Sequence, residues 1–262
     1  MSERKYVTNS EGKPNGGEQL SLDLVRENFG KLTRSRAISV SDLIALSPVP
    51  VPESRHEQAI KFLACLFTEN ELINVVNDFK EVRLADGSTK YAPMGAGRTK
   101  PVCYFADLFS QEDCGLKGGG GIFVRINPVC ERGTGKDGSY TDAGVVGYRH
   151  ALLEGDDLDM DEQASLLAAL ALPLVAITTS GRRSLHGIVK VNCADADDYA
   201  ATVKPLLCRL RVFGIDRVNG NPSRFTRLAG ALREYDGIGD RVQRLLYLNP
   251  AADGIPIIGG VQ

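Results

Sequence analysis

The chain has 262 residues, 43% hydrophobic and 24% charged, with a net charge of −2. That balance fits one elaborated globular domain or two small lobes, and argues against a wholly basic nucleic-acid binder. No apolar run approaches the roughly 18 residues of a membrane helix.

Residues 1–19 are rich in Gly, Asn, Ser and charge and read as a tail. They lack the apolar core of a secretory signal, so a cytoplasmic protein is expected. Leu22, Leu24, Val25, Phe29 and Leu32 fall at helical spacing, and a second short helical pattern covers Ser39 to Leu46 before the P-V-P-V-P break. Ser54 with Glu57, and Thr68 with Glu71, fit capping boxes, which predicts two consecutive helices. The second also reads as an early strand, because I-N-V-V-N is β-rich. Glu81 to Lys90 reads as a hairpin around A-D-G-S, Tyr91 to Thr99 as a basic Gly-rich loop, and Tyr104 to Phe109 as a helix. Four glycines then precede a strand at Ile122 to Ile126, where they permit close backbone approach to a ligand or another strand. After a polar excursion from Glu131 to Asp142, the chain predicts a strand at Val145 to Glu154 and a helix at Met160 to Leu170. Strands at Leu174 to Thr179 and Leu185 to Val191 follow, then a helix at Ala196 to Val212 kinked or divided by Pro205, and a strand at Phe225 to Leu228. That order, β-α-β-β-α-β, is the split β-α-β layout of ferredoxin-like and RNA-recognition sheets.

The six cysteines, at 65, 103, 114, 130, 193 and 208, form no C-x-x-C pair, which favours reduced thiols over a zinc site. The small net charge hides segregation. Glu154, Asp156, Asp157, Asp159, Asp161 and Glu162 cluster before the first helix of the split unit, whereas arginine dominates from Arg182 to Arg244.

Glu154 and Asp156 project from one face if their strand continues through Gly155. Paired carboxylates repel unless a cation joins them, and Mg2+ or Mn2+ prefers such oxygen ligands. Asp157, Asp159 and Asp161 are better explained as charges favouring a helix N-terminus. Ser180 and Gly181 make a turn, after which Ser184 and His186 face the same way, with Arg182 and Arg183 adding charge suited to phosphate. Asp216 offers a third carboxylate, and Arg224 and Arg227 suit a triphosphate or the backbone of a template strand.

Read together, L-L-E-G-D-D, S-G-R-R-S-L-H and I-D-R-V-N-G-N-P-S-R-F-T-R-L-A-G resemble the three motifs of the archaeo-eukaryotic primase superfamily, particularly the primase-polymerase-like proteins of phages and prophages. The likeness extends from about Glu57 to Pro250. It implies an α+β fold, the archaeo-eukaryotic primase catalytic core, with the RRM-like sheet (145–250) packed on an N-terminal α/β unit (20–144) and a short tail (251–262). It implies Glu154, Asp156 and Asp216 as catalytic metal ligands for two Mg2+ or Mn2+ ions, and Ser180, Arg182, Ser184, His186, Arg224 and Arg227 as nucleotide-binding groups. The implied function is that of a DNA primase or primase-polymerase of a mobile element, with single-stranded DNA template, NTP or dNTP, and a separate replicative helicase as partners. The chain departs from the family pattern at Gly155, Arg182, Gly220 and Ala229. The alternative is a catalytically inactive nucleic-acid-binding module on the same fold. A replication-initiation nuclease fits less well, because His186 has no His-x-His partner. An RNA-recognition domain lacks its stacking aromatics.

Overall fold

The computed structural model describes residues 22–32, 37–83, 89–111, 115–155, 158–234 and 241–258. Helices α1 (Leu22–Leu32), α2 (Val40–Ala45) and α3 (Arg55–Leu66) precede strand β1 (Leu72–Val76). The hairpin β2 (Phe79–Arg83) and β3 (Thr89–Pro93), strand β4 (Arg98–Pro101), helix α4 (Val102–Phe109), and strands β5 (Lys117–Gly118) and β6 (Phe123–Arg125) complete the first half. The second half runs β7 (Tyr148–Leu153), α5 (Met160–Ala169), β8 (Leu174–Thr179), β9 (Leu185–Cys193), α6 (Ala196–Leu210), β10 (Phe225–Arg227), β11 (Leu232–Arg233) and β12 (Leu245–Leu248). The class is α+β, as the sequence implies. No helix among the described residues is long and apolar enough to cross a membrane.

Two four-stranded antiparallel sheets dominate, ordered β10-β6-β1-β4 and β12-β8-β9-β7. Alternation along β7 explains why they stack: Leu153 joins a core with Leu167, Val189, Tyr199 and Leu207, which lie on or face α5 and α6. Its neighbour Leu152 joins Phe62, Ile73, Val124, Ile188 and Leu228, which fill the space between the sheets and α3. Each such Leu, Ile or Val, fully buried, contributes about 1.5–3 kcal/mol. The second sheet is therefore covered on both faces, and only its strand ends reach solvent.

Several elements differ from the sequence reading, among them Tyr91 to Thr99, read as a loop, whose two ends lie in β3 and β4. The predicted strand at Phe225 to Leu228 forms, but it pairs with β6 in the first sheet, and Leu245–Leu248 takes the fourth place in the split β-α-β sheet beside β8. The two halves thus share a strand, a long-range pairing that local pattern does not encode. The capping box at Thr68 does not start a helix, and the alternative, an early strand at I-N-V-V-N, is what forms: the Glu71 carboxylate accepts the Thr68 amide at 2.7 Å and pairs with Arg149 at 2.6 Å, and the chain goes straight into β1. Pairing of β1 with both β4 and β6 buries Ile73, Val75 and Val76, which outweighs the helical signal. Ser54 precedes α3 without a side-chain capping bond. Helix α6 continues through Pro205 rather than dividing there.

Candidate active site

The site grows from the point where β7 leaves its sheet. The amide of Asp216 donates to the carbonyl of Glu154 at 2.8 Å, which ties the segment after α6 to the end of β7. That approach requires glycine. A Cβ on Gly155 would lie 2.4 Å from the carbonyl oxygen of Gly214, and Gly214 itself takes φ +88°, which favours glycine. Gly155, a departure from the family pattern, is thus the residue that lets Asp216 lie beside Glu154. Asp156 and Asp157 lie outside the described residues. Asp159 and Glu162 form a reciprocal capping box at the start of α5, and Asp161 accepts the amide of Val40 at 2.7 Å, so these acids serve the fold.

The register of β7 with β9 pairs Leu153 with Gly187, which sets Glu154 next to His186. Nε2 of His186 lies 3.3 Å from Oε1 of Glu154, and its Nδ1 is 3.0 Å from Oγ1 of Thr226 on β10. The imidazole, 5% exposed, is held at both nitrogens and bridges the two sheets. Across the sheet from it, Thr178 on β8 carries a buried hydroxyl with no hydrogen-bond partner.

The turn between β8 and β9 is closed by its own serines. The Ser180 amide donates to the Ser184 carbonyl at 2.8 Å, and the Ser184 amide to Oγ of Ser180 at 3.2 Å. Gly181, at φ +73°, completes the reversal. From α5, Gln163 donates to the carbonyl of Arg183 at 3.0 Å and accepts the amide of Leu185 at 2.7 Å, fixing where β9 begins. Arg233 adds a bond to the Ser180 carbonyl at 3.1 Å. Ser180 and Ser184 are buried, whereas Arg182 stands exposed at the tip of the turn.

Arg227 follows Thr226 and therefore points to the other face of β10. Its Nη1 donates to the carbonyl of Gly120 at 2.6 Å, and its guanidinium lies 4.0 Å over the Phe123 ring. The glycine run before β6 serves this packing. A Cβ on Gly121 would meet Gln243, Arg233 and Arg227, and one on Gly120 would meet Phe79 and Tyr91. Arg224 is half-buried, one residue before β10.

The structure thus sets Glu154 against His186 and ties the backbone of the exposed Asp216 to Glu154, with Ser184 just before the strand that carries His186. Arg227 is placed on the reverse of β10. Sequence reading missed Thr226, Gln163 and Arg233, whose roles depend on pairings between distant segments. The described carboxylates offer the oxygen donors a hard divalent cation prefers. Among the described residues, no group of three or more His, Cys, Asp or Glu is arranged to hold a metal, and the third acid of the expected set, Asp156, lies outside them.

No protein-family model and no curated protein matches the chain. Among solved structures it is similar to the primase RepB' (TM-score 0.45, 12% identity), covering 76% of this chain and 58% of that one, so it spans a little over half of that protein. It is also similar to the archaeo-eukaryotic primase domain of the cyanophage S-2L primase-polymerase (TM-score 0.45, 18% identity, 77% and 94% covered). The catalytic domain of RepB' in complex with initiator DNA aligns with TM-score 0.45 and 16% identity, covering 77% of this chain and 89% of that one.

Proposed function

We propose that this chain is a DNA primase or primase-polymerase of a phage or other mobile element, carrying out template-directed nucleotidyl transfer from NTPs or dNTPs with two divalent ions. One observation carries the reading: two distant acids, Glu154 and Asp216, are joined through their backbones beside a histidine bonded to the first of them. In this reading Glu154, Asp156 and Asp216 hold Mg2+ or Mn2+. When bound there, the ions supply positive charge against the developing charge on the 3'-hydroxyl and the departing pyrophosphate. Ser184 and His186 bind triphosphate oxygens, His186 by exchanging its Nε2 contact with Glu154 for the phosphate, while Arg182 supplies charge from the tip of the turn and Thr226, at Nδ1, keeps the imidazole plane fixed. Single-stranded DNA is the template, and a separate helicase opens the duplex.

The second reading, an inactive nucleic-acid-binding module, is favoured by Arg227, which is bonded within the protein and stacked on Phe123. Incorporation of labelled nucleotides on a single-stranded template separates the two. The enzyme reading expects product with Mg2+ or Mn2+, none in EDTA, and none from Asp156→Ala at unchanged thermal stability. Template binding without product under either cation would favour the inactive module.

A further inference from the structure

The outer face of the sheet β10-β6-β1-β4 carries a second charged feature, turned away from His186. Phe225 pairs in register with Arg125, and Arg227 with Phe123, so two cations lie on two rings across adjacent strands. Arg125 is the unusual member. It is 6% exposed, lies 4.0 Å over the Phe225 ring, and donates to Oδ1 of Asn74 at 3.2 Å and to the carbonyl of Ser223. Among the described residues no carboxylate lies within ion-pair distance of it. Asp142, whose charge acts on it, is bonded instead to the amide and hydroxyl of Ser223. Burial pushes the guanidinium down to about 10, the mark of a cation short of compensation. Yet Arg125 lines an open cleft of about 270 Å³, together with Lys80, Gly95, Ser139, Tyr140 and Phe225. Asp137, also on the wall, is engaged by the amide and hydroxyl of Ser139.

We propose that this cleft is an oxyanion site for a phosphate group, held by Arg125 from its floor and Lys80 from its rim. A guanidinium fixed against a ring is pre-organised for phosphate, and a ligand anion supplies the partner that the fold withholds. The phosphate belongs either to a free nucleotide or to the backbone of a nucleic-acid strand. The site is separate from the Glu154–His186 cluster and requires no metal.

Amide spectra of the whole 15N-labelled chain, recorded in EDTA, test this with two probes: inorganic tripolyphosphate and a single-stranded oligothymidylate. Saturable shifts at Gly95, Ser139 and the Arg125 Nε–H are expected, and the more tightly bound probe identifies the source. Arg125→Met should weaken binding at least about tenfold through loss of a charge-assisted hydrogen bond. Lys80→Gln, at an exposed position, should weaken it with the melting temperature unchanged, which keeps the test decisive if Arg125→Met fails to fold. The proposal is overturned if these signals stay still with both probes, if sodium acetate at equal ionic strength moves them as far, or if Lys80→Gln binds like the parent. Because no divalent cation is present, any of those results leaves the nucleotidyl-transfer reading standing.

Discussion

His150 and His186 sit on β7 and β9 of one sheet, at 4% and 5% exposure, yet they occupy opposite chemical situations. His150 lies mid-strand: its Nδ1 meets only the carbonyl of Ile126, at 3.1 Å, and its ring edge packs against Phe67. Burial pushes it down to about 4, so it stays neutral and serves packing. His186 lies at the strand end, between a carboxylate and a hydroxyl from different sheets. Equal burial therefore says little about function. The partners differ, and at the strand end they include a carboxylate and a hydroxyl that the middle of the sheet does not offer.

Breaking the polar region should have the largest effect. Glu154→Gln keeps the shape but removes a charge, and incorporation should fall by about a thousandfold, comparable to losing a principal electrostatic group, with the melting temperature little changed. The buried, silent histidine should instead show itself in stability. Its folded pKa lies below its unfolded value, so the unfolded chain takes up the proton first as pH falls, and stability present above about pH 6.5 is lost toward pH 4. The loss is on the order of 3 kcal/mol. His150→Gln should flatten that part of a denaturant-derived stability profile while leaving activity near the parent's.

Gly155→Ala sharpens the contrast from the backbone. Its Cβ must push Gly214 away, so a cost of about 1–3 kcal/mol should accompany a loss of activity larger than the stability change explains. Gln163→Leu is the mildest test. It strands the Arg183 carbonyl and the Leu185 amide, at about 1–3 kcal/mol, and should raise the KM for nucleotide more than it lowers kcat if the turn positions phosphate-binding groups.

Much of the polar region was legible in sequence because it is built from local pattern. The bounds of β8 agree with the predicted strand, β9 begins where expected, and the Ser180–Gly181 turn forms between them. What the sequence concealed is contact between distant segments. Nothing local to Phe225–Arg227 says that this strand joins β6, and the alternation that aims Thr226 at His186 turns Arg227 to the other face. Gly155 looked like a departure from a family pattern, and only its approach to Gly214 shows why a side chain does not fit.

The central claim of the proposed function, that Glu154, Asp156 and Asp216 hold a divalent cation beside His186, can be tested directly on the imidazole signals of the chain's three histidines. His150 is four residues from the register partner of His186, about 13 Å along the sheet, far enough for paramagnetic broadening to discriminate. On addition of substoichiometric Mn2+ to the whole protein, the His186 signals should broaden first and those of His150 and His56 persist. A sharp His186 signal, or equal broadening of all three, would contradict the account.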